Sequence, residues 1–587
     1  MNPSNPLIVQ SDRSILLEVE HPLHAEARDA LSRFAELEKS PEHIHTYRIS
    51  PLSLWNAAAG GIYAQHILEL LERYSKYPIP PNMVSDIHDY IGRYGRLKLI
   101  REEERLLLVS DDHLLITQIL RNRHAQPYLI RPLNAHALEV DANRRGHIKQ
   151  ALIHIGFPAE DLAGYTEGSP LPFALHQQEE GDNQGFTPRS YQRAAASAFY
   201  AGGAPGGGSG VVVLPCGAGK TIVGLVTMAD IQRATLILTP NTVAVRQWIN
   251  ELRTKTTIPP EMIGEYTGER KDIAPVTVST YQMLTYRRTG NSSQMGDSST
   301  AEAVEEEYPH FSLLTSYDWG LIIYDEVHLL PAPVFRVTAE IQARRRLGLT
   351  ATLVREDGRE ADVFSLIGPK KYDVPWRELE RQGWIATAEC HEIRVSLDEH
   401  DQLTYAMAET REKYRIAAEN PVKSRIAHAL IERHKDDQVL IIGQYIDQLK
   451  ALSEQFQAPL LTGRTSNTQR EKLYEQFRRG ELKLLVVSKV ANFAIDLPDA
   501  NVAIQVSGTF GSRQEEAQRL GRILRPKRDG GTAYFYTLVT RDTRDQDFSA
   551  NRQLFLTEQG YQYSIEDAET LLSSSPERPP EHSLGNQ

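Results

Sequence analysis

The chain has 587 residues, of which 41% are hydrophobic and 24% are charged, and its formal net charge is −12. That length is enough for roughly three or four domains, and no run of about 18 apolar residues predicts a membrane-spanning helix. The only two cysteines, Cys216 and Cys390, exclude a disulfide framework and a multi-thiolate metal site. Because the first residues also lack a basic-then-apolar signal pattern, we expect a cytoplasmic protein. The acidic balance argues against a surface coated by nucleic acid, although a local basic groove remains compatible with it.

Residues 1–100 predict an N-terminal α+β domain. Ser14 to Glu20 alternates like an edge strand, whereas Leu23 to Leu37 and Ala64 to Tyr74 have helical spacing. The aromatic residues of this domain are expected in its core rather than on a nucleic-acid platform, and they are Tyr47, Trp55, Tyr63, Tyr74 and Tyr77.

Residues 101–175 predict a second, small α+β domain. Leu106–Val109 and Leu114–Thr117 indicate a hairpin, and Thr166 to Gln184 has the composition of a linker. Five basic positions fit either a solvated face or a DNA-contacting module, namely Arg121, Arg123, His124, Arg144 and Arg145.

Two regions have the alternating rhythm of parallel α/β sheets, 176–372 and 426–570. Between them, residues 373–425 predict a projecting helical insertion, and residues 571–587 predict a disordered tail rich in Ser and Pro. The sequence therefore predicts an α/β protein with two tandem lobes of related architecture.

The stretch from Val211 to Thr221 predicts a phosphate-binding loop. Four apolar residues form a strand, a glycine-containing turn follows, and Lys220 and Thr221 begin a helix. In such a loop the backbone amides and the helix N-terminus face an anion, the lysine reaches the terminal phosphates and the threonine hydroxyl binds Mg²⁺. Leu214 stands where the strict pattern has glycine, so the alternative is a tight strand-to-helix turn with an incidental lysine. The predicted cofactor-binding residues of the loop are Pro215, Cys216, Gly217, Ala218, Gly219, Lys220 and Thr221.

A second strand, Leu321 to Tyr324, ends in two adjacent acids. Asp325 can hold Mg²⁺, and Glu326 can orient and deprotonate the attacking water. With a phosphate loop upstream, this pair predicts a site of phosphoryl transfer.

Three further patterns follow these acids in the chain, and this order favours a functional role for them. Thr350 and Thr352 can relay the nucleotide state through hydrogen bonds. Arg522 and Arg525 lie three residues apart in the second lobe region and can stabilise charge on the transferring phosphate. Asp496 can accept a ribose hydroxyl.

The order of these motifs resembles that of superfamily 2 helicases, and in detail that of the XPB DNA repair helicases. The resemblance rests on Leu214-Pro-Cys-Gly-Ala-Gly-Lys220, Asp325-Glu-Val-His328, Leu347 to Asp357, Glu516 to Arg525 and Arg552 to Tyr561. It is specific over 186–570 and looser over 1–175, where it implies an N-terminal and a damage-recognition-like domain of the prokaryotic branch. It implies two RecA-like lobes with a thumb-like insertion at 373–425.

The resemblance also implies roles for matched positions. Arg189 and Gln192 would read adenine, while His328 and Gln518 would couple the ATP site to movement. The implied DNA contacts are Thr239, Thr280, Tyr281, Arg355, Glu356, Asp357, Thr462, Gly463 and Ser488.

The motifs and the resemblance together predict an ATP- and Mg²⁺-dependent DNA helicase, which we expect to be a monomer. The resemblance implies 3′→5′ polarity and a role in nucleotide-excision-type repair, on single strands, forks or damaged duplex. A duplex translocase that leaves the strands paired, an RNA-directed motor and an ATP-regulated scaffold for a partner nuclease are the alternatives. Only the scaffold would have no use for Glu326.

Overall fold

The computed structural model describes residues 2–39, 43–176, 186–204, 206–215, 217–286, 310–314, 317–331, 334–335, 338–339, 341, 344–351, 360–374, 376–488, 500–508, 532–558, 561 and 563–573. The chain divides into two compact units, Met1–Pro375 and Trp376–Gln587. Within the described part, no helix is both long enough and apolar enough to cross a membrane.

The first unit begins with a four-stranded antiparallel sheet in the order β1-β2-β4-β3. Its strands are β1 (Leu7–Val9), β2 (Ser14–Glu18), β3 (Glu36–Lys39) and β4 (Ile44–Arg48), and its helices are α1 (His24–Leu31), α2 (Pro51–Ala59), α3 (Ala64–Tyr74) and α4 (Pro81–Arg93). The predicted edge strand is therefore wrong, because β2 pairs on both sides. The helix predicted to reach Leu37 ends at Leu31, since residues from Glu36 onward pair with β4.

The predicted aromatic core of this domain is confirmed for three residues. Tyr47, Trp55 and Tyr74 are buried, whereas Tyr63 and Tyr77 are 75% and 56% exposed. The two exposed rings flank helix α3, at its N-cap and shortly after its end, where a side chain can point away from the packed face.

A five-stranded sheet in the order β7-β8-β6-β5-β9 follows. It contains β5 (Leu97–Glu102), β6 (Arg105–Val109), β7 (Leu129–Asn134), β8 (Ala137–Val140) and β9 (Ala159–Asp161), with helices α5 (His113–Arg121) and α6 (Arg145–Ile155). The hairpin predicted at Leu114–Thr117 is wrong because α5 occupies these residues. The Asp112 carboxylate accepts from the amides of Leu114 and Leu115, which starts a helix where a short apolar run resembled a strand.

The first unit ends with a seven-stranded parallel sheet in the order β12-β13-β11-β14-β15-β10-β16. Its strands are β10 (Ser209–Val213), β11 (Thr235–Thr239), β12 (Ile263–Tyr266), β13 (Val276–Thr280), β14 (Leu321–Asp325), β15 (Arg345–Thr350) and β16 (Lys370–Asp373). Its helices are α7 (Ser190–Tyr200), α8 (Lys220–Ile231), α9 (Thr242–Lys255), α10 (Tyr281–Thr285) and α11 (Glu360–Asp362), which continues as a π-helical turn, Val363–Ile367. The central strands are buried on both faces, as expected for a parallel sheet covered by helices.

The second unit contains another seven-stranded parallel sheet, in the order β19-β20-β18-β21-β22-β17-β23. Its strands are β17 (Ala388–Val395), β18 (Val439–Gly443), β19 (Leu460–Leu461), β20 (Leu484–Ser488), β21 (Val502–Gln505), β22 (Ala533–Thr540) and β23 (Tyr563–Asp567). Its helices are α12 (Trp376–Arg381), α13 (Glu399–Met407), α14 (Thr410–Ala418), α15 (Val422–Arg433), α16 (Ile446–Gln455), α17 (Asn467–Arg478), α18 (Arg544–Glu558) and α19 (Ala568–Ser573). The first unit also contains short 3₁₀ turns at Gln126–Tyr128, Ala142–Arg144, Ala201–Gly203, Pro260–Met262, Phe311–Leu314 and Val327–Leu329. The prediction of two tandem parallel-sheet lobes is confirmed.

Three connecting segments differ from their predictions. The region 373–425 contains helices α12 to α14 but also β17, which pairs with both β22 and β23, so it is not a purely helical insertion. The linker predicted from Thr166 is bound along the first lobe up to residue 176, because Leu171 and His176 donate backbone hydrogen bonds to Gln232 and Lys255. Helix α19 extends into the predicted tail, and residues 574–587 lie outside the described residues.

Candidate active site

The predicted site residues of the first lobe gather at the carboxyl ends of its parallel strands. Registry places Val213 beside Thr350, Asp325 beside Leu349, and Thr239 beside Thr280. The phosphate loop extends this edge, since the Leu214 amide donates to the Thr350 carbonyl at 3.0 Å. Because the carboxyl ends of parallel strands share one edge, residues far apart in sequence form a single site there.

The loop after β10 contains two glycines whose backbone conformation favours glycine. Gly217 and Gly219 have φ values of 80° and 79°, in the left-handed region that favours glycine. A side chain on Gly219 would also bring a Cβ within 2.5 Å of the Gln192 amide nitrogen. Helix α8 begins immediately at Lys220, so its free amides and positive dipole end face this loop.

The motif at Arg189–Gln192 is fastened to the loop. The Gln192 amide accepts from the Arg189 backbone at 2.9 Å and donates to the Ala218 carbonyl at 2.9 Å. The Tyr191 hydroxyl donates to the same carbonyl at 2.7 Å and receives a hydrogen bond from the Arg189 guanidinium at 3.1 Å. This element therefore fixes the loop in position, and the sequence analysis missed Tyr191 although it stands beside Gln192 in the same motif.

An ion pair joins the loop to the acidic strand end. The Lys220 ammonium lies 3.2 Å from a Glu326 carboxylate oxygen, and the two side chains are 11% and 17% exposed. Glu326 has a φ of 50°, a left-handed conformation that is strained for a residue with a side chain. The sharp turn after β14 thus aims the Glu326 carboxylate at the loop.

The two acids are held in different electrostatic states. Burial and the adjacent Glu326 carboxylate raise the pKa of Asp325 to about 6, against the hydrogen bond from Trp248 and the charge of Lys220. Burial also opposes ionisation of Glu326, but Lys220 and then His328 outweigh it and lower the pKa of that carboxyl. Trp248 on α9, which donates to Asp325 at 2.9 Å, was missed by the sequence analysis. The sequence offered one indication of this role, because the N–H group of a buried tryptophan needs a hydrogen-bond acceptor.

The predicted coupling residues of the first lobe are in contact. His328 Nδ1 lies 2.7 Å from the Thr350 hydroxyl, and both residues are buried. His328 also lies 3.5 Å from Glu326, so a continuous polar path runs from Lys220 through Glu326 and His328 to Thr350.

The predicted DNA contacts fall into two groups. Thr239, Thr280 and Tyr281 are at most 3% exposed; the Thr239 hydroxyl donates to the Asn241 and Ser279 carbonyls, and that of Tyr281 to the Asp325 carbonyl. Their side chains position the strand ends rather than present a surface. In the second lobe, Thr462 and Gly463 follow β19 and are at least partly exposed, whereas Ser488 is buried at the end of the adjacent β20.

The basic residues predicted for the domain at 101–175 differ in their exposure to solvent. Arg121, Arg123 and His124 are exposed. Arg145 is 1% exposed and its guanidinium binds both oxygens of Asp161, so its predicted place on a solvated or DNA-contacting face is wrong. Nine predicted site residues lie outside the described residues: Cys216, Thr352, Arg355, Glu356, Asp357, Asp496, Gln518, Arg522 and Arg525.

Three family models match the chain. The model described as type III restriction enzyme, res subunit, covers residues 185–355, and the ERCC3/RAD25/XPB C-terminal helicase model covers residues 379–578. A helicase conserved C-terminal domain model covers residues 7–134. Tandem parallel sheets with a phosphate loop and an Asp-Glu strand end, matched by these models, define a helicase of the RecA-like, ATP-hydrolysing class.

Relatives that align with almost the whole chain identify the family within this class of helicases. A "DNA 3′-5′ helicase XPB" of Mycobacterium tuberculosis is 54% identical over 97% of this chain and 98% of the relative, and one of Kineococcus radiotolerans is 52% identical over 97% and 98%. The "General transcription and DNA repair factor IIH helicase/translocase subunit XPB" of Enterocytozoon bieneusi is 33% identical over 95% and 92%. The chain belongs to the XPB family of DNA helicases.

Proposed function

We propose that this protein is an ATP-driven DNA helicase that moves 3′→5′ and acts in DNA repair. Its bacterial relatives carry the name DNA 3′-5′ helicase, and the more distant relative is named for transcription and DNA repair. The observation that carries the proposal is the 3.2 Å contact between Lys220 and Glu326. This contact brings the lysine of one motif to the acid of the other, which supports a phosphate-binding role for Lys220 and a water-activating role for Glu326.

The residues around the contact between Lys220 and Glu326 suit ATP hydrolysis. The loop amides and Lys220 would bind the β- and γ-phosphates. Glu326 would then orient the attacking water and accept its proton, because the charges of Lys220 and His328 keep it ionised.

Thr221 and Asp325 form a donor set that fits Mg²⁺. A hydroxyl and a carboxylate are hard oxygen ligands, and the buried Asp325 stands beside a second carboxylate where a cation would neutralise charge. When bound, Mg²⁺ would supply positive charge that neutralises the charge developing on the phosphates. Trp248 holds the Asp325 carboxylate in a fixed orientation for this task.

The contact between His328 and Thr350 supports a role in transmission. Thr350 ends β15, whose neighbour β10 carries the phosphate loop. A change in the position of Glu326 on nucleotide binding would reach Thr350 through His328. We assign DNA contacts to the exposed residues Thr462 and Gly463 and, in the small domain, to Arg121, Arg123 and His124.

The activity is tested by measuring ATP hydrolysis with DNA, with RNA and without nucleic acid. We expect DNA to stimulate hydrolysis most, and we expect ATP-dependent displacement of a strand from a duplex with a 3′ overhang but not from one with a 5′ overhang. Stimulation by RNA alone, or no stimulation, would sink the proposal. Glu269→Gln, in a side chain that is 71% exposed on the same lobe, is the matched control for variants of Glu326.

A triplex-displacement assay separates unwinding from translocation. The Enterocytozoon relative is named a helicase/translocase. If a third strand is displaced while the duplex strands stay paired, the protein is a duplex translocase and the helicase part of the proposal is wrong.

A further inference from the structure

A hydrogen bond from another element holds the peptide group between Asp325 and Glu326. The Tyr281 hydroxyl donates to the Asp325 carbonyl oxygen at 2.8 Å. Because this carbonyl belongs to the peptide that precedes Glu326, the hydrogen bond fixes the plane from which the Glu326 side chain departs. Tyr281 therefore acts on the backbone of the acidic strand end rather than on either carboxylate.

Tyr281 reaches this peptide from a strand that is not a neighbour of β14. It is the first residue of α10 and directly follows β13, while β11 lies between β13 and β14 in the sheet. Its side chain is 3% exposed and packs in the apolar core of the first lobe. Since packing holds the ring, the hydroxyl is a donor with a fixed position across the end of β11.

The end of β13 is itself tied to the sheet. Strands β11 and β13 pair in parallel register as far as Thr239 and Thr280, and the Thr239 hydroxyl donates to the Ser279 carbonyl at 3.1 Å. The Thr280 hydroxyl accepts from the Met283 amide and so caps α10. These contacts place Tyr281 with the precision of the sheet rather than that of a loop.

Glu326 has a backbone conformation that requires support. Its φ of 50° lies in the left-handed region, which costs free energy in a residue with a Cβ and persists only where neighbouring groups hold it. The Leu329 amide donates to the Glu326 carbonyl at 2.8 Å, which holds the peptide that follows. The Tyr281 hydroxyl holds the peptide that precedes, so the strained residue is fixed on both sides.

Two aromatic residues hold Asp325 at two different atoms. The Trp248 indole donates to the carboxylate at 2.9 Å, whereas the Tyr281 hydroxyl donates to the carbonyl. The first contact orients the oxygens that would bind Mg²⁺, and the second acts on the residue that follows. Loss of the Tyr281 contact should therefore alter the rate of hydrolysis without altering the requirement for Mg²⁺.

We propose that Tyr281 is a positioning residue for ATP hydrolysis, whose hydroxyl holds the Asp325–Glu326 peptide so that the Glu326 carboxylate faces the attacking water. This role rests on the proposed function, in which Glu326 accepts the proton of that water. It gives Tyr281 a task at the ATP site, whereas the family resemblance implies a DNA contact for it. A displacement of the end of β13 would move the peptide that carries Glu326, which links this strand end to hydrolysis.

The test is steady-state ATP hydrolysis with DNA by Tyr281→Phe, which keeps the buried ring and removes only the hydroxyl. We expect kcat to fall about 10-fold, less than the loss of at least about 10²-fold expected when the general base itself is removed. The KM for ATP and the Mg²⁺ concentration for half-maximal activity should match those of the parent, because Lys220 and the Asp325 carboxylate keep their contacts.

Tyr324→Phe is the matched control. Tyr324 is a fully buried tyrosine of β14, and its hydroxyl lies 3.3 Å from that of Thr338 rather than on the backbone of the acids. This variant also removes one buried hydroxyl from the first lobe, and its kcat should equal that of the parent.

The double variant with Glu326→Gln separates positioning from a general effect on the fold. If Tyr281 acts through Glu326, Tyr281→Phe should slow hydrolysis in the parent but not in Glu326→Gln. A parental kcat in Tyr281→Phe, an equal loss in both backgrounds, an equal loss in Tyr324→Phe or a raised Mg²⁺ requirement would each overturn the role of Tyr281 alone. Hydrolysis by Glu326→Gln at the parent rate would instead overturn the proposed function, and this role with it.

Discussion

The two seven-stranded sheets share a strand plan but differ at the sixth strand in their order. In the first sheet this strand is β10, and glycines followed by Lys220 lead into α8. In the second sheet it is β17, and Asp398 caps α13 by accepting from the Asp401 amide at 2.8 Å, with Glu399 and Asp401 in the first turn. The first turn of α13 therefore contains carboxylates that oppose anion binding, whereas the first turn of α8 contains no acidic residue.

Each unit has a lysine–carboxylate pair near the carboxyl ends of its parallel strands. Lys220 and Glu326 are 3.2 Å apart and partly exposed. Lys423 and Asp545 are 2.6 Å apart and at most 1% exposed, and Lys423 also donates to the carbonyl of Val506, just after β21. The first pair is partly exposed and the second is sealed, which fits the catalytic role proposed for the first pair and a stabilising role for the second.

The largest expected effect tests the sealed pair. Lys423→Met removes the cation at 2.6 Å from the buried Asp545 carboxylate and leaves the Arg552 guanidinium at 3.9 Å, so it should lower the free energy of unfolding by about 3 kcal/mol. Chemical denaturation monitored by circular dichroism measures this, with Lys435→Met on the exposed end of the same segment as control. Equal free energies of unfolding for Lys423→Met and Lys435→Met would contradict a stabilising role for the pair of Lys423 and Asp545.

Lys220→Met tests the accessible pair and should show the opposite profile. ATP hydrolysis should fall at least about 10²-fold, because phosphate binding and charge stabilisation are lost together. The melting temperature should change little, because the Glu326 carboxylate is 17% exposed and His328 lies 3.5 Å from it. Lys255→Met, which removes a surface pair with Glu251, is the control.

A pH profile sharpens the assignment of Asp325. Its pKa is raised to about 6, so the carboxyl is protonated below that pH and cannot hold a cation. At limiting Mg²⁺, hydrolysis should fall about tenfold per unit below pH 6, and excess Mg²⁺ should move the midpoint to lower pH. A midpoint that ignores Mg²⁺ concentration would contradict the role of Asp325.

The smallest effect concerns the acidic cap of the second lobe. Asp398→Ala should cost about 1 kcal/mol through loss of the helix cap, while ATP hydrolysis stays at the level of the parent. Denaturation and a steady-state ATPase assay on the same sample measure both. A loss of hydrolysis would contradict the assignment of ATP chemistry to the loop after β10 rather than to the helix after β17.

The sequence was sufficient for the features that a local pattern encodes. The phosphate loop follows a run of four apolar residues, and the acids at Asp325 and Glu326 end another, so both could be placed at strand ends. Coupling roles were predicted for His328 and Thr350, whereas the 2.7 Å contact between their side chains was not predicted.

What could not be predicted depends on distant partners. Strand β17 was missed because its buried positions alternate with polar ones such as His391, unlike the continuous apolar runs of the central strands. Arg145 was expected at the surface because its partner, Asp161, lies on another element. The burial of Thr239 and Tyr281 likewise depends on neighbouring strands and helices that no local pattern specifies.

The most direct test of the central claim is single-turnover ATP hydrolysis with DNA in Glu326→Gln and Glu399→Gln, the second being an acid at the corresponding edge of the other sheet. We expect Glu326→Gln to bind ATP but to hydrolyse it at least about 10²-fold more slowly, and Glu399→Gln to match the parent. Hydrolysis by Glu326→Gln at the parent rate would contradict the assignment of the chemistry to the first sheet.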